Sequence, residues 1–153
     1  MKKIICWIIV IFWMGVIFTF SSFNGVESSK QSRGFLYHTI GNIIDIFDKD
    51  MDPVKKDELI IKINPVVRKI AHTSVYFVLG LFVCIAFKNY DLNVKKLLIY
   101  SLIVCLLYSI SDEIHQLFVP GRSGEVLDVC IDTLGSSMGI GLFYLIKNKS
   151  LHY

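Results

Sequence analysis

Between residues 111 and 132 the chain reads SDEIHQLFVPGRSGEVLDVCID, which sets Asp112, Glu113, His115, Gln116, Arg122, Asp128 and Asp132 between two very apolar runs. Upstream, Arg68, His72 and Tyr76 occupy successive i, i+4 positions and would form one stripe along a helix. Carboxylates beside an imidazole can serve as general acid and base, so Asp112, Glu113, His115 and Asp128 are the candidate catalytic residues. Arg68, His72, Tyr76, Gln116, Arg122 and Asp132 are the candidates for holding a substrate, because guanidinium groups match phosphate and carboxylate oxygens. The competing reading is a charge network that only locks helices together, with Arg68 or Arg122 as counter-ion. Asp112, His115 and Asp128 with Asp132 offer oxygen and nitrogen donors for a divalent ion, but no two histidines share a ligand-spaced helix face. No metal and no cofactor is therefore expected.

What could position these groups follows from composition. The chain has 153 residues, 54% hydrophobic and only 19% charged, with a mean hydropathy of +0.57, values extreme for a soluble globule. A single membrane domain over residues 1–153 is the expectation. The net charge of +3 comes from lysines at the ends of apolar runs and not from a basic stripe, which excludes nucleic acid as a partner. Cys6, Cys84, Cys105 and Cys130 each fall in a different apolar run without zinc or redox spacing, and read as small buried side chains.

No Asp, Glu, Lys or Arg occurs from Ile4 to Val26, longer than the roughly 20 residues a helix needs to cross about 30 Å of hydrocarbon. A signal peptide is the rival, since Lys2 and Lys3 precede the run, but the core is too long and no small-x-small cleavage site follows. The sequence predicts four membrane helices, at about 4–23, 65–87, 95–117 and 125–146. The second would open with Asn64 as N-cap and Pro65 at the first helical position. The external loop, about 24–64, would carry short interfacial helices: Leu36, Ile40, Ile43, Ile44 and Phe47 recur at helical spacing, and Asp52-Pro53 would start a second one.

The third segment decides where the polar groups go. Its uncharged stretch, Leu97 to Ser111, covers only about 22 Å at 1.5 Å per residue and is too short to span. Lys95 and Lys96 can snorkel to one interface, so the helix must continue through Asp112, Glu113, His115 and Gln116 until Pro120-Gly121 ends it. Asp128 and Asp132 then start the fourth helix at the same depth. Gly135 and Gly139 share their face, and such small-residue pairs let helices approach closely. Lys2, Lys3, Lys88, Lys95, Lys96, Lys147 and Lys149 against the single acid Asp91 make the side holding both termini cytoplasmic. The polar cluster thus falls in the outer leaflet, as a pocket opening outward. An ion path would need polar groups at both ends of the bundle, and the inner halves are nearly pure hydrocarbon.

The residues Phe20-Ser21-Ser22, Arg68-Lys69-x-x-His72-x-x-x-Tyr76-x-x-Leu79-Gly80, Asp112-Glu113-x-His115-Gln116-x-Phe118-x-Pro120-Gly121-Arg122 and Asp128-x-x-x-Asp132-x-x-Gly135-x-x-x-Gly139 together resemble the VanZ-like family. The resemblance implies a multi-pass protein of the bacterial cytoplasmic membrane, with founding members linked to resistance to teicoplanin, a lipid-tailed glycopeptide. It implies partners among membrane lipids, lipid-linked cell-wall precursors or the lipoglycopeptide itself. The chain departs from the family pattern at Asp132, where Asn is usual, and at Thr73, where an aromatic is usual. A phosphohistidine lipid phosphatase is disfavoured, since no Pro-Ser-Gly-His segment is present. The expected function is to bind or modify an amphiphile or lipid-linked glycan. The alternative is a non-catalytic scaffold that recruits an envelope partner. Ser21 and Ser22 read as helix-end hydroxyls that bond back to the helix or meet water, and Lys69 as an interfacial anchor.

Overall fold

The computed structural model describes residues 1–48 and 51–149, and within these the side chains of Val26, Glu27, Gln31 and Phe47 lie outside the description, including the Phe47 member of the predicted apolar stripe. The described residues form α1 (Lys2–Ser22), α2 (Gly25–Phe47), α3 (Pro53–Phe87), α4 (Val94–Gln116) and α5 (Val126–Lys149). Four of them, α1, α3, α4 and α5, are long and apolar enough to cross a membrane, as the sequence predicts.

The difference lies between the first two spans. Instead of a loop with short interfacial helices and a span opening at Pro65, α3 begins at Pro53 and runs unbroken through Pro65. Asp52 does cap it, accepting a hydrogen bond from Val54 N, with Pro53 at the first turn. Asn64 does not cap, because its Oδ1 accepts from Ser32 Oγ at 2.6 Å. A proline interior to a helix removes one backbone hydrogen bond and crowds the preceding turn. Here α2 lies along the affected half of α3 and holds it in place. Lys56 pairs with Asp45 at 2.7 Å, Tyr37 donates to Asp57, and Arg68 donates to Ser29. As the partner number rises on α3 it falls on α2, so the two form an antiparallel helical hairpin.

Among the spans, α3 packs most extensively on α5. A methyl group at Gly80 would overlap Ser136 O, one at Gly135 would overlap Thr73 O, and one at Gly139 would overlap Phe77 O. The two backbones therefore touch, as small residues permit in lipid, where van der Waals contact replaces the hydrophobic drive between helices. The buried stripe of α4 is also built of small side chains, Ser101, Cys105 and Ser109, before it reaches Asp112, Glu113 and Gln116. By contrast α1 buries only Val10, Ile17 and Ser21. These lie on one face, while Ile4, Ile8, Ile11 and Phe12 point outward, as suits a helix with lipid on most of its surface.

At one end Trp7 Nε1 donates to Tyr90 Oη at 3.0 Å and Lys3 sits 4.7 Å from the Tyr90 ring centre, which joins the N-terminus to the α3–α4 connection. At the other end Gly25 N donates to Pro120 O at 3.2 Å. Gly121 there adopts φ +74°, a left-handed conformation that glycine takes without strain, and Gly25 has no room for a side chain beside its carbonyl.

The glycine contacts make a direct test. Gly135→Ala should lower stability in detergent by about 1–3 kcal/mol, the usual range for overpacking. Gly141→Ala, with open space around it, should leave the melting temperature unchanged or slightly raised. Thermal unfolding of the purified variants separates the two.

Candidate functional site

The C-terminal end of α1, the middle of α3, the C-terminal end of α4 and the N-terminal part of α5 converge on Asp112. It is 2% exposed, and its Oδ2 accepts from Ser21 Oγ of α1 at 2.7 Å, Tyr76 Oη of α3 at 3.4 Å and Gln116 Nε2 at 3.4 Å. Its Oδ1 has no hydrogen-bond partner among the described residues. Asp132 of α5 is 1% exposed, and its Oδ2 is likewise without a partner. One donor atom from each of His72, Asp112 and Asp132 lies within 4.8 Å of the other two.

Above this triad opens a cavity of about 220 Å³, lined among others by Arg68, Lys69, His72, Gln116, Arg122, Asp128 and Asp132. Lys69 Nζ bonds Asp128 Oδ1 at 2.7 Å and stands 3.7 Å from Glu125 Oε2, so Asp128 is paired across α3 and α5 in the cavity wall. A second cavity, about 290 Å³ and mainly apolar, is lined by Ile17, Phe20, Phe23 and Val75 and shares Arg68, His72 and Arg122 with the first.

Arg122 is held by the protein itself. Its Nε donates to Phe23 O at 3.0 Å and its Nη2 to Phe20 O at 3.1 Å, which satisfies the carbonyls that end α1. Nη1 reaches Gln116 Oε1 at 3.2 Å and Nη2 also Ser28 Oγ at 3.4 Å. Burial and then the nearby charge of Arg68 hold its pKa below the ordinary value, although a guanidinium remains charged at any physiological pH. Arg68 has one hydrogen bond among the described residues, at 3.2 Å to Ser29 Oγ, and faces both cavities.

Two of the four candidate catalytic residues stand elsewhere. Glu113 Oε2 accepts from Glu125 N at 2.9 Å and Oε1 from Gln116 Nε2 at 3.1 Å, so it ties the end of α4 to the start of α5. His115 turns away from the cavity, stacks on Phe18 with ring centres 4.2 Å apart and lies 3.1 Å from Ser22 Oγ. The reason is helical phase. The buried stripe of α4 advances in steps of three and four to Gln116, which leaves His115 on the flank facing α1. His72 supplies the imidazole near the carboxylates instead.

The VanZ/LLP1 family model matches residues 6–147. The chain belongs to the VanZ/LLP1 family. No curated protein and no solved structure matches it. The four motifs quoted from the sequence meet here: Ser21 from the first, Arg68, His72 and Tyr76 from the second, Asp112, Gln116 and Arg122 from the third, Asp128 and Asp132 from the fourth. Ser21 is the residue that sequence reasoning undervalued. Its neighbour Ser22 does bond back to Phe18 O at 2.7 Å, whereas Ser21 is fully buried on Asp112. The signal was present in the α1 periodicity, which puts Ser21 on the face of Val10 and Ile17. Lys69 lines the cavity and pairs with Asp128 there. The metal-donor geometry was hidden because its three residues come from three helices, while spacing within one helix was the only available guide.

The two cationic contacts differ in kind, which gives a test. Arg122→Lys should cost about 1.5–3 kcal/mol, since a single ammonium cannot serve both α1 carbonyls and Gln116. Lys69→Ala, breaking a partly exposed pair, should cost no more than about 1 kcal/mol. Melting curves of both in detergent would show the ranking, and an equal loss in both would remove Arg122 as the clamp of α1.

Proposed function

We propose that this VanZ/LLP1 protein resides in the bacterial cytoplasmic membrane with both termini cytoplasmic. Its outer-leaflet pocket binds an anionic amphiphile, a lipid-linked cell-wall precursor or phospholipid, and so lowers susceptibility to lipoglycopeptides such as teicoplanin. One observation carries the reading: a polar cavity and an apolar cavity meet at Arg68, His72 and Arg122. An amphiphile needs that pairing, with a charged head among cations and a tail along Phe20, Phe23 and Val75 at the edge of α1. Arg68 and Lys69 present N–H donors to a phosphate or carboxylate. Arg122 shapes the junction while its own donors remain on α1.

Binding to phosphatidylglycerol, read by native mass spectrometry in detergent, should weaken at least tenfold in the Arg68→Ala/Lys69→Ala variant, with binding of uncharged diacylglycerol little changed. In a host lacking the native gene the same variant should lose teicoplanin resistance at normal membrane levels. Wild-type binding and full resistance from this variant would overturn the reading. For orientation, single cysteines in a background without the four native ones should report opposite sides. Thr39→Cys should react with an impermeant maleimide in intact cells, and Lys2→Cys only after permeabilisation.

A scaffold role is favoured by a different observation, the exposed apolar face of α2, where Phe35, Ile43 and Ile46 stand in the open. Exchange of residues 25–62 with another family member's hairpin would then transfer the phenotype, while Arg68→Ala/Lys69→Ala remained active.

A further inference from the structure

We propose that His72, Asp112 and Asp132 form a site for one divalent transition-metal ion, Zn²⁺ or Mn²⁺ by the chemistry of the donors. Two carboxylates and an imidazole are a donor set that takes such ions in preference to Ca²⁺ or Mg²⁺, which favour oxygen alone. The donor atoms come from α3, α4 and α5 and lie within 4.8 Å of one another. Tetrahedral bonds of about 2.0–2.2 Å to a central ion place donors about 3.3–3.6 Å apart, so the side chains would close by up to about 1.5 Å on binding.

Independent of that spacing is the condition of the two acids. Asp112 and Asp132 are 2% and 1% exposed, yet Asp112 Oδ1 and Asp132 Oδ2 have no partner among the described residues. A charged carboxylate buried in this way is costly unless it is paired, hydrogen-bonded or bound to a metal, and a metal ion is the partner that two acids and an imidazole can share. The nearby cations bond to other groups: Lys69 to Asp128 and Glu125, Arg122 to the end of α1 and Arg68 to Ser29. No hydrogen bond joins Asp112 to Asp132, or His72 to either, among the described residues, so the three groups stand around a common point and do not satisfy each other. Ser21 Oγ and Tyr76 Oη orient the Asp112 carboxylate from behind, as partners of a metal ligand do. His72 and Asp132 also line the polar cavity, and open coordination positions on that side would accept a phosphate oxygen. That last point rests on the amphiphile reading; the metal site does not.

Metal content is the test, with no lipid ligand present. Protein stripped with EDTA and reconstituted with Zn²⁺ or Mn²⁺ alone should hold one ion per chain by elemental mass spectrometry and regain a higher melting temperature. Asp132→Asn and His72→Gln should each weaken binding at least tenfold, and Lys56→Ala, on the hairpin away from both cavities, should bind normally. Because Asp132→Asn removes one uncompensated acid, its metal-free form should melt no lower than the stripped wild type, which separates a lost ligand from a lost fold. Wild-type protein that is monodisperse but takes up neither ion, or Asp132→Asn that binds as tightly as wild type, would overturn the proposal. Loss of amphiphile binding with metal uptake intact would count against the amphiphile reading alone.

Discussion

A carboxylate within a helix bundle in lipid has to collect donors from its surroundings, because no bulk solvent is there to supply them. Asp112 collects them from Ser21 on one span, Tyr76 on another and Gln116 on its own. That single oxygen fixes the outer end of α1, a helix with few other buried contacts, and sets the rotation of α4 about its axis. With α4 so rotated, Glu113 faces the start of α5 and accepts Glu125 N–H, which places Asp132 beside Asp112. The arrangement of the outer half of the bundle follows from where this acid must be satisfied.

The packing of α3 on α5 obeys a different rule. There the contact between α3 and α5 is backbone on backbone, allowed by Gly80, Gly135 and Gly139. Such an interface has little freedom to slide, since each glycine accepts one carbonyl of the opposite helix or its neighbouring atoms. It holds His72 and Asp132 at a fixed separation one or two turns further out. The polar site is therefore built on rigid elements, and the variable part of its wall is α1, joined at its outer end through Arg122 and Ser21.

How much of this was legible in the sequence depended on whether the signal lay within one helix or between helices. The four spans, the depth of the polar cluster and the inward acidic face of α5 came from hydrophobic run lengths and the spacing of Gly135 and Gly139 with Asp132. The extension of α3 was hidden, because Asn64-Pro65 has the form of a helix start and only the neighbouring α2, with Ser32 on Asn64, turns it into helix interior. His115 and Gln116 were equally placed to accompany Asp112 by spacing alone, and the packing of α4 against its neighbours decided for Gln116. Glu113 and Arg122 stand out by residue type, and each bonds both to backbone groups at helix ends and to the Gln116 side chain. One-dimensional spacing cannot distinguish an acid that faces a ligand from one that caps a neighbouring helix.

The unbroken course of α3 has a mechanical consequence. At 1.5 Å per residue its 35 residues extend about 52 Å, well beyond the roughly 30 Å of hydrocarbon, so the same rod that carries His72 and Tyr76 also forms one arm of the hairpin with α2. A push on that arm is delivered to the pocket wall without passing through a loop. Pro65, lacking one hydrogen bond of the ladder, is the softest point along the rod, and it sits one turn from Arg68 at the pocket's edge. The hairpin arm and the cavity wall thus belong to one continuous helix, and Pro65 marks where the one passes into the other.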